Sequence, residues 1–528
     1  MSGSLVRRMR SVRGGWSYWH VVLCGIALAG CQGSSQAPQP ATASFPGISL
    51  AVGALDDTAI LAGVTSQRGE WVASRGGEIS VQEQPLSVES LASADVVLFP
   101  AQRMGDLVDA GALKPIPNDV VVPRRPPAPE AGEPSQTERE RAKTEAEDTY
   151  RYMDIVPAFR EQVSRYGTDR IGLPCGGSAL VLVYRQDAFE SPANRAAAQK
   201  AGVSLEPPAT WTQLDALARF FHSRDWDGQG GPDYGIALVL GPDAEELGNS
   251  TFLARAASLG QHRDHYSFLF DSETMAPRIE APPFVEALKA LVSLKAFGPP
   301  GMERFDAAGA RIAFRTGKVA MLIDRAERAA AWSHGKPVGV APLPGSERVF
   351  EPALKTWQPA SPPNSPSYLP AGGGWLVGVN GRLSGTKLEA ALDFAKYVTT
   401  PDNSNRIRAE RPFPMLPVRA ALMGLGLPDP TTAPDVASRE WSEAVRRTLM
   451  ADRVVPGLRI PLAGGYLEDL AKGRADALAG RNPEQALHAV GQAWTERTKA
   501  LGTQHQSWHY RRSLNTLATL PHPPERGK

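Results

Sequence analysis

The sequence predicts an α/β protein, and two apolar runs carry that prediction together with the helix that follows one of them. Ile48–Val52, ending in Gly53, and Asp95–Phe99, closed by Pro100, are apolar on successive positions rather than alternating. That pattern fits strands buried on both faces of a parallel sheet. After the second run a helix-like stretch, Met104–Ala110, is stopped by Gly111. A strand followed at once by a helix is the repeating unit of α/β layers. Further strand candidates are Leu180–Tyr184, Val319–Ile323 and Trp375–Val379. Among helices, Trp211–His222 follows Thr210 as a candidate N-cap and spaces Leu214, Leu217, Ala218 and Phe221 along one face. Lys387–Val398 and Pro483–Leu501 share that periodicity. Residues 118–147 join a Pro-rich stretch to the charged run Glu138–Glu147, so they read as a solvent-exposed insertion. Ser346–Pro370, rich in Pro and Ser, reads as a long connection, and residues 502–528 as a loosely ordered tail.

The N-terminus points outside the cytoplasm. Arg7, Arg8, Arg10 and Arg13 precede the mostly apolar run Trp16–Ala29. That run is shorter than the roughly 20 residues a membrane-spanning helix needs and reads as a secretory signal. Leu28, Ala29, Gly30 and Cys31 then resemble the lipobox of bacterial lipoproteins. The resemblance implies a leader over 1–30, cleavage before Cys31, a diacylglycerol on its sulfur and an acyl chain on the new amine. Several buried acyl chains, each CH₂ contributing about 0.8 kcal/mol, make a durable anchor. An ordinary secretory signal with an incidental cysteine is the alternative. Residues 31–44, made of Gln, Gly, Ser, Ala, Pro and Thr with the cysteine, have the composition of a flexible tether. The expected location is the cell envelope, facing the periplasm or the extracellular side.

Composition narrows the function. The formal charge of +1 gives no basis for a nucleic-acid surface or a polybasic membrane patch. Cys24 leaves with the leader and Cys31 carries lipid, so Cys175 is the one remaining thiol and no disulfide forms within the mature chain. There is no G-x-S-x-G, H-E-x-x-H or Walker A loop. His262 and His265 sit three apart without a nearby Cys or His, which argues against zinc there.

Fragments spread along the chain resemble bacterial extracellular solute-binding proteins of the maltose-binding-protein-like class, the receptors that feed ABC importers. Asp95–Ile116 is similar to that family's strand, helix and G-x-L turn. Ile171–Pro174 with Ala179–Phe189 resembles its first crossing between lobes, and Pro207–Leu214 its Pro-Pro-x-Thr-Trp helix start. Phe314–Met321 resembles its F-x-x-G-K-x-A-M segment, Gly339–Gly345 and Gly372–Trp375 its return strand, and Pro412–Arg419 its last crossing. Each fragment alone is weak; together and in order they are specific. The resemblance implies a two-lobed periplasmic-binding-protein-like fold with strand crossings and a ligand cleft that closes like a jaw. The first α/β lobe is expected over 45–173 with 372–417, and the second over 174–370 with 418–501. It further implies a monomer that captures a small solute, most readily a sugar or oligosaccharide, and delivers it to ABC permease subunits without covalent chemistry. A sensor or scaffold lipoprotein on the same fold is one alternative, and a polysaccharide-acting enzyme another.

Ligands of open α/β sheets lie at the carboxyl ends of strands. That rule selects Asp56 and Asp57, Gln102 and Arg103, Cys175 to Ser178, and Asp324 and Arg325. The family resemblance adds Ser250 and Thr251 as cleft contacts and Tyr466 as an aromatic platform. Sugar recognition needs flat aromatic faces and planar polar groups. Phe99, Trp375 and Tyr466 are the candidates for stacking, although Phe99 and Trp375 fit a core position equally well. Asp57, Gln102, Arg103, Asp324 and Arg325 are the candidates for hydrogen bonding. The tryptophan usual in the family after the A-M strand is absent from Ile323–Arg328, which weakens the maltodextrin analogy.

No cofactor is required by this reading, but a structural calcium ion is an option. Asp225, Asp227, the Gln229 carbonyl and Asp233 stand at alternating positions in a glycine-rich loop and resemble a one-loop calcium site. The closing bidentate Glu of an EF-hand is missing, since Ile236 occupies the twelfth position. An acidic surface turn is the alternative.

Overall fold

The two apolar runs near the N-terminus form neighbouring parallel strands. β1 (Ser49–Ala54) leads to helix α1 (Leu61–Arg75) and then to β2 (Glu78–Val81), which lies parallel to β1. β3 (Val96–Pro100) lies parallel on the other side of β1, with Val52 opposite Val96. One turn of 3₁₀ helix, Ala101–Arg103, then enters α2 (Met104–Asp109) and the short β4 (Leu113–Lys114). β5 (Leu173–Gly177) joins this sheet and is wholly buried.

The computed structural model describes residues 44–122, 148–241, 245–263, 265–409, 414–427 and 430–516. These fall within one compact unit, Ala43–Lys528. The leader, Cys31, the tether up to residue 43 and residues 123–147 of the expected insertion lie outside them. Of the insertion's described residues, Asn118, Asp119 and Val122 are exposed, as expected, but the segment is also tied to the fold. Asn118–Val121 form a helical turn, Val121 is buried, and Asn118 Oδ1 accepts a hydrogen bond from Arg170 at 3.0 Å.

A second sheet begins where the first is left. β6 (Leu180–Arg185) is its apolar centre, and the chain passes between sheets at Ser178 and Ala179. The boundary expected after Leu173 therefore falls inside β5. Helix α3 (Trp211–Phe221) starts with a capping box in which Thr210 accepts from the Gln213 N–H at 3.3 Å and the Gln213 side chain accepts from the Thr210 N–H at 3.2 Å. β7 (Tyr234–Ala237), α4 (Glu245–Gly260), α5 (Ala307–Arg315), β8 (Val319–Arg325) and β9 (Val338–Pro342) follow. The sheet order is β9-β6-β8-β7, with β8 antiparallel to β6 and parallel to β7.

The expected long connection over Ser346–Pro370 is instead a hairpin, β10 (Ser346–Glu351) with β11 (Thr356–Asn364). Its prolines sit on a largely exposed strand with one partner, where a missing N–H is tolerated. Phe350 lies directly opposite Trp357, edge to face, and the Arg348 guanidinium covers the Trp357 ring at 4.3 Å. The turn Pro370–Gly373 then returns the chain to β12 (Gly374–Asn380), antiparallel to β3, β4 and β5. The first sheet thus reads β2-β1-β3-β12-β4, with β5 also on β12.

Helices close the chain. α6 (Gly385–Val398), α7 (Ala463–Leu478) and α8 (Pro483–Leu501) bury apolar faces, and α8 matches its expected bounds. The expected loose tail is a helix as far as it is described: α9 (Thr503–Ser513) buries His505, Gln506, His509 and Tyr510. Its polar composition hid a buried face whose partners come from elsewhere in the chain. No described helix is long and apolar enough to cross a membrane.

Candidate functional site

Polar side chains gather where the strands of both sheets end. In the first sheet, β1 runs out into Asp56, whose φ of 65° turns the chain sharply. Asp57 is exposed, and its Oδ1 accepts the Ala59 N–H at 2.8 Å, opening the turn before α1. Beyond β3, Arg103 places its Nε 3.4 Å from both Asp56 and Asp106. Burial raises the Asp56 carboxyl above its ordinary range, and Arg103 opposes that rise. Gln102 lies partly exposed on the same turn.

The turn Pro370–Gly373 joins this group to the second. Gly372 has φ of 72°, and a Cβ there would lie 2.5 Å from the Gln102 nitrogen, so only glycine fits. Gly373 accepts the Ser178 N–H at 3.0 Å. Trp375, half-buried, opens β12 opposite Pro100 and Gly176. Cys175 is buried and directs its thiol at the Trp375 carbonyl, 3.3 Å away. Burial pushes that thiol up to about 12, so it is unreactive at neutral pH.

In the second group, Ser178 Oγ donates to Glu327 at 2.5 Å, and Arg325 at the end of β8 pairs with Glu246 on α4. Burial raises the Glu327 carboxyl above its ordinary range, against the pull of Arg325 and the Ser178 hydrogen bond. Burial also lowers Arg325. Arg325 Nε, Glu246 Oε1 and Glu327 Oε2 are buried with no hydrogen-bond partner among the described residues. A buried polar atom left unsatisfied costs about 1–3 kcal/mol, and these three are open to a further hydrogen-bonding partner.

Five residues expected in the site are placed elsewhere. Phe99 is fully buried, its ring against the space left by Gly172 and Gly378, and has no face for a ligand. Tyr466 is also fully buried: its hydroxyl lies 2.9 Å from that of Thr498, and its ring meets Phe270 and Trp494 edge to face. Asp324 does not pair with Arg325. It accepts two bonds from Arg311, at 2.6 and 2.7 Å, and one from the Trp332 indole at 2.8 Å. Ser250 and Thr251 are buried within α4, and the Thr251 hydroxyl donates back to the Leu247 carbonyl at 2.9 Å. Glu246 and Glu327 were missed as site residues. Glu246 stands four residues before Ser250, on the same helix face, and Glu327 stands two after Arg325; those offsets were the available signal.

The acidic loop does assemble. Asp225, Asp227 and Asp233 bring carboxylate oxygens within 4.8 Å of one another. The loop turns through Gly228, Gly230 and Gly231, all at positive φ. Asp233 accepts the N–H groups of Trp226 and Asp227. The Lys318 ammonium lies among the acids, 3.1 Å from Asp227, 3.2 Å from Asp233 and 3.2 Å from the Gly230 carbonyl. The loop therefore already holds a cation of its own, and the Gln229 side chain is exposed beside it. His262 and His265, which have no Cys or His near them in sequence, share the Glu351 carboxylate at 3.1 and 2.7 Å.

A cavity of about 380 Å³ is lined among others by Gln261, His262, Tyr368, Arg459 and Tyr510. Arg325, Glu246 and Glu327 are not in its lining, and the unpartnered Gln261 Oε1 belongs to a residue that is.

The family model for bacterial extracellular solute-binding proteins matches residues 80–405. A mannitol-binding protein of Pseudomonas aeruginosa is 28% identical over 176 residues, 33% of this chain. The match spans only 35% of that relative's length. Among solved structures, a solute-binding protein of an ABC transporter from Agrobacterium radiobacter, in complex with ribitol, superposes with a TM-score of 0.55 at 20% identity, covering 86% of this chain and 99% of that one. One from Agrobacterium vitis with bound D-mannitol gives 0.55 at 19%, covering 86% and 99%. The maltotriose-binding protein of Thermus thermophilus gives 0.54 at 18%, covering 86% and 100%. These likenesses share the two-lobed α/β architecture.

Proposed function

This chain belongs to the bacterial extracellular solute-binding proteins, and on that premise we propose that it captures a small sugar or polyol and presents it to the permease of an ABC transporter. The observation that carries the choice of ligand is the set of unpartnered polar atoms on Arg325, Glu246 and Glu327 beside Ser178. A guanidinium and two carboxylates offer planar donors and acceptors that match vicinal hydroxyls. The aromatic side favours a short ligand. Phe99 and Tyr466 are packed away, and Trp375 is the one expected stacking residue left at the strand ends. A long oligosaccharide would need more aromatic surface than that.

Binding contacts from both sheets would stabilise a closed form by their differential affinity, and the permease would read that form. The solute leaves unchanged, as nothing in this arrangement is asked to break a bond. Isothermal titration with D-mannitol, ribitol and maltotriose tests the reading. Binding of a polyol that Glu327→Ala weakens at least tenfold, about 1.4 kcal/mol, supports it. Undiminished binding in that variant, or turnover of the solute, removes it. We also propose that Cys31 carries the lipid that keeps the protein at the envelope. Cys31→Ala then releases the protein from membranes into the soluble fraction; retention on the membrane would refute the anchor.

A further inference from the structure

We propose that Asp109, His505 and His509 form a zinc site that fastens the C-terminal helix to α2. His505 and His509 stand four residues apart on α9 and so share one face. Their rings approach to 4.6 Å between centroids. Both Nε2 atoms point at the same oxygen of Asp109, the last residue of α2, at 2.8 Å from His505 and 3.4 Å from His509. Ligand atoms of a tetrahedral zinc ion, with bonds of about 2.0–2.1 Å, lie roughly 3.3 Å apart. The observed separations bracket that edge length.

The second observation is a nitrogen with nothing to bind. His509 is fully buried, and its Nε2 makes no hydrogen bond among the described residues, although it faces the carboxylate. Its other nitrogen, Nδ1, lies 3.0 Å from the Tyr166 hydroxyl, a partner that fixes the ring as the outer groups of metal sites do. Asp106, close by, is engaged by the Leu462 N–H and by Arg103.

Two other clusters of this kind are filled from within the chain. Lys318 sits in the acidic loop. His262 and His265 take separate oxygens of Glu351, and His262 Nε2 also meets Gln358. Two imidazoles and a carboxylate suit zinc, whereas calcium and magnesium take oxygen ligands. Asp109 and His505 are 396 residues apart in sequence, so an ion here would tie the end of the fold to an element near its start.

The test uses the full chain purified after export, stripped with chelator and re-equilibrated with zinc chloride. Elemental analysis should find about one zinc per chain. The double variant His505→Ala/His509→Ala should lose it, while Asp225→Asn/Asp233→Asn should keep it. Zinc should also raise the unfolding temperature of the parent protein by several degrees and calcium should not reproduce that rise through this site. No retained zinc, or equal zinc in the double variant, overturns the proposal. Cobalt loaded into the unmutated protein gives a readout independent of how the variants fold. Strong visible absorption of tetrahedral cobalt supports the site, and the weak spectrum of octahedral cobalt overturns it.

Discussion

Glu327 is the residue on which the binding account turns. Its carboxyl accepts from Ser178, faces Arg325, and is held above its ordinary pKa of 4.5 chiefly by burial. Arg325, the Ser178 hydrogen bond and Arg328 oppose that rise. The folded protein therefore keeps the proton to higher pH than the unfolded chain. The contribution is fully present below about pH 4.5 and is lost as pH rises through the folded value. Glu327→Gln should thus gain stability relative to the parent as pH rises, read as a growing difference in urea midpoints. A difference that stays flat, or grows toward acid, would show that the carboxyl is not held protonated. At this scale the sequence was a poor guide. Trp71, Trp332, Trp441 and Trp494 are all fully buried, and each indole finds an acceptor, respectively Asp393, Asp324, the Ala326 carbonyl and the Tyr466 carbonyl. Asp324 looked like a ligand-binding acid at a strand end. Its actual partners, Arg311 and Trp332, are fixed by packing that spacing does not reveal.

Elements were legible where local pattern and burial agree. β3, β6 and β8 are buried along almost their whole length, and their apolar runs marked them within two residues of their observed ends. α3 was marked by Thr210, and Thr210→Ala should cost about 1 kcal/mol by removing the cap. Urea unfolding checks this; a loss below about 0.3 kcal/mol would mean that the helix start is held by packing alone. Elements whose stability comes from distant partners were not legible. The β10–β11 hairpin reads as loop because of its prolines, yet Phe350, Trp357 and Arg348 hold it together across the strands. α9 reads as a tail because it is polar. Its buried side chains meet Asp109 and Tyr166, and Arg459 donates to the Ser513 carbonyl at its end.

For the whole molecule, the α/β class and the family were legible, because ordered fragments along the chain tolerate local error. The ligand position was only half legible. Strand-end topology brought out Arg103, Ser178 and Arg325, but which side chains point outward depends on register, and a shift of one residue exchanges the buried and open faces. Thus Asp324 is interior and its neighbour Arg325 reaches Glu246. The central claim is that a small polyhydroxylated solute completes the polar atoms left open on Glu246, Arg325 and Glu327. A crystal structure of the protein with a bound sugar or polyol tests this most directly. The expected density places solute hydroxyls within hydrogen-bond reach of Glu327 and Arg325, with Arg103 or Trp375 contacting the solute from the first sheet. Solute seated instead in the 380 Å³ cavity beside His262, Tyr368 and Arg459 would contradict the account.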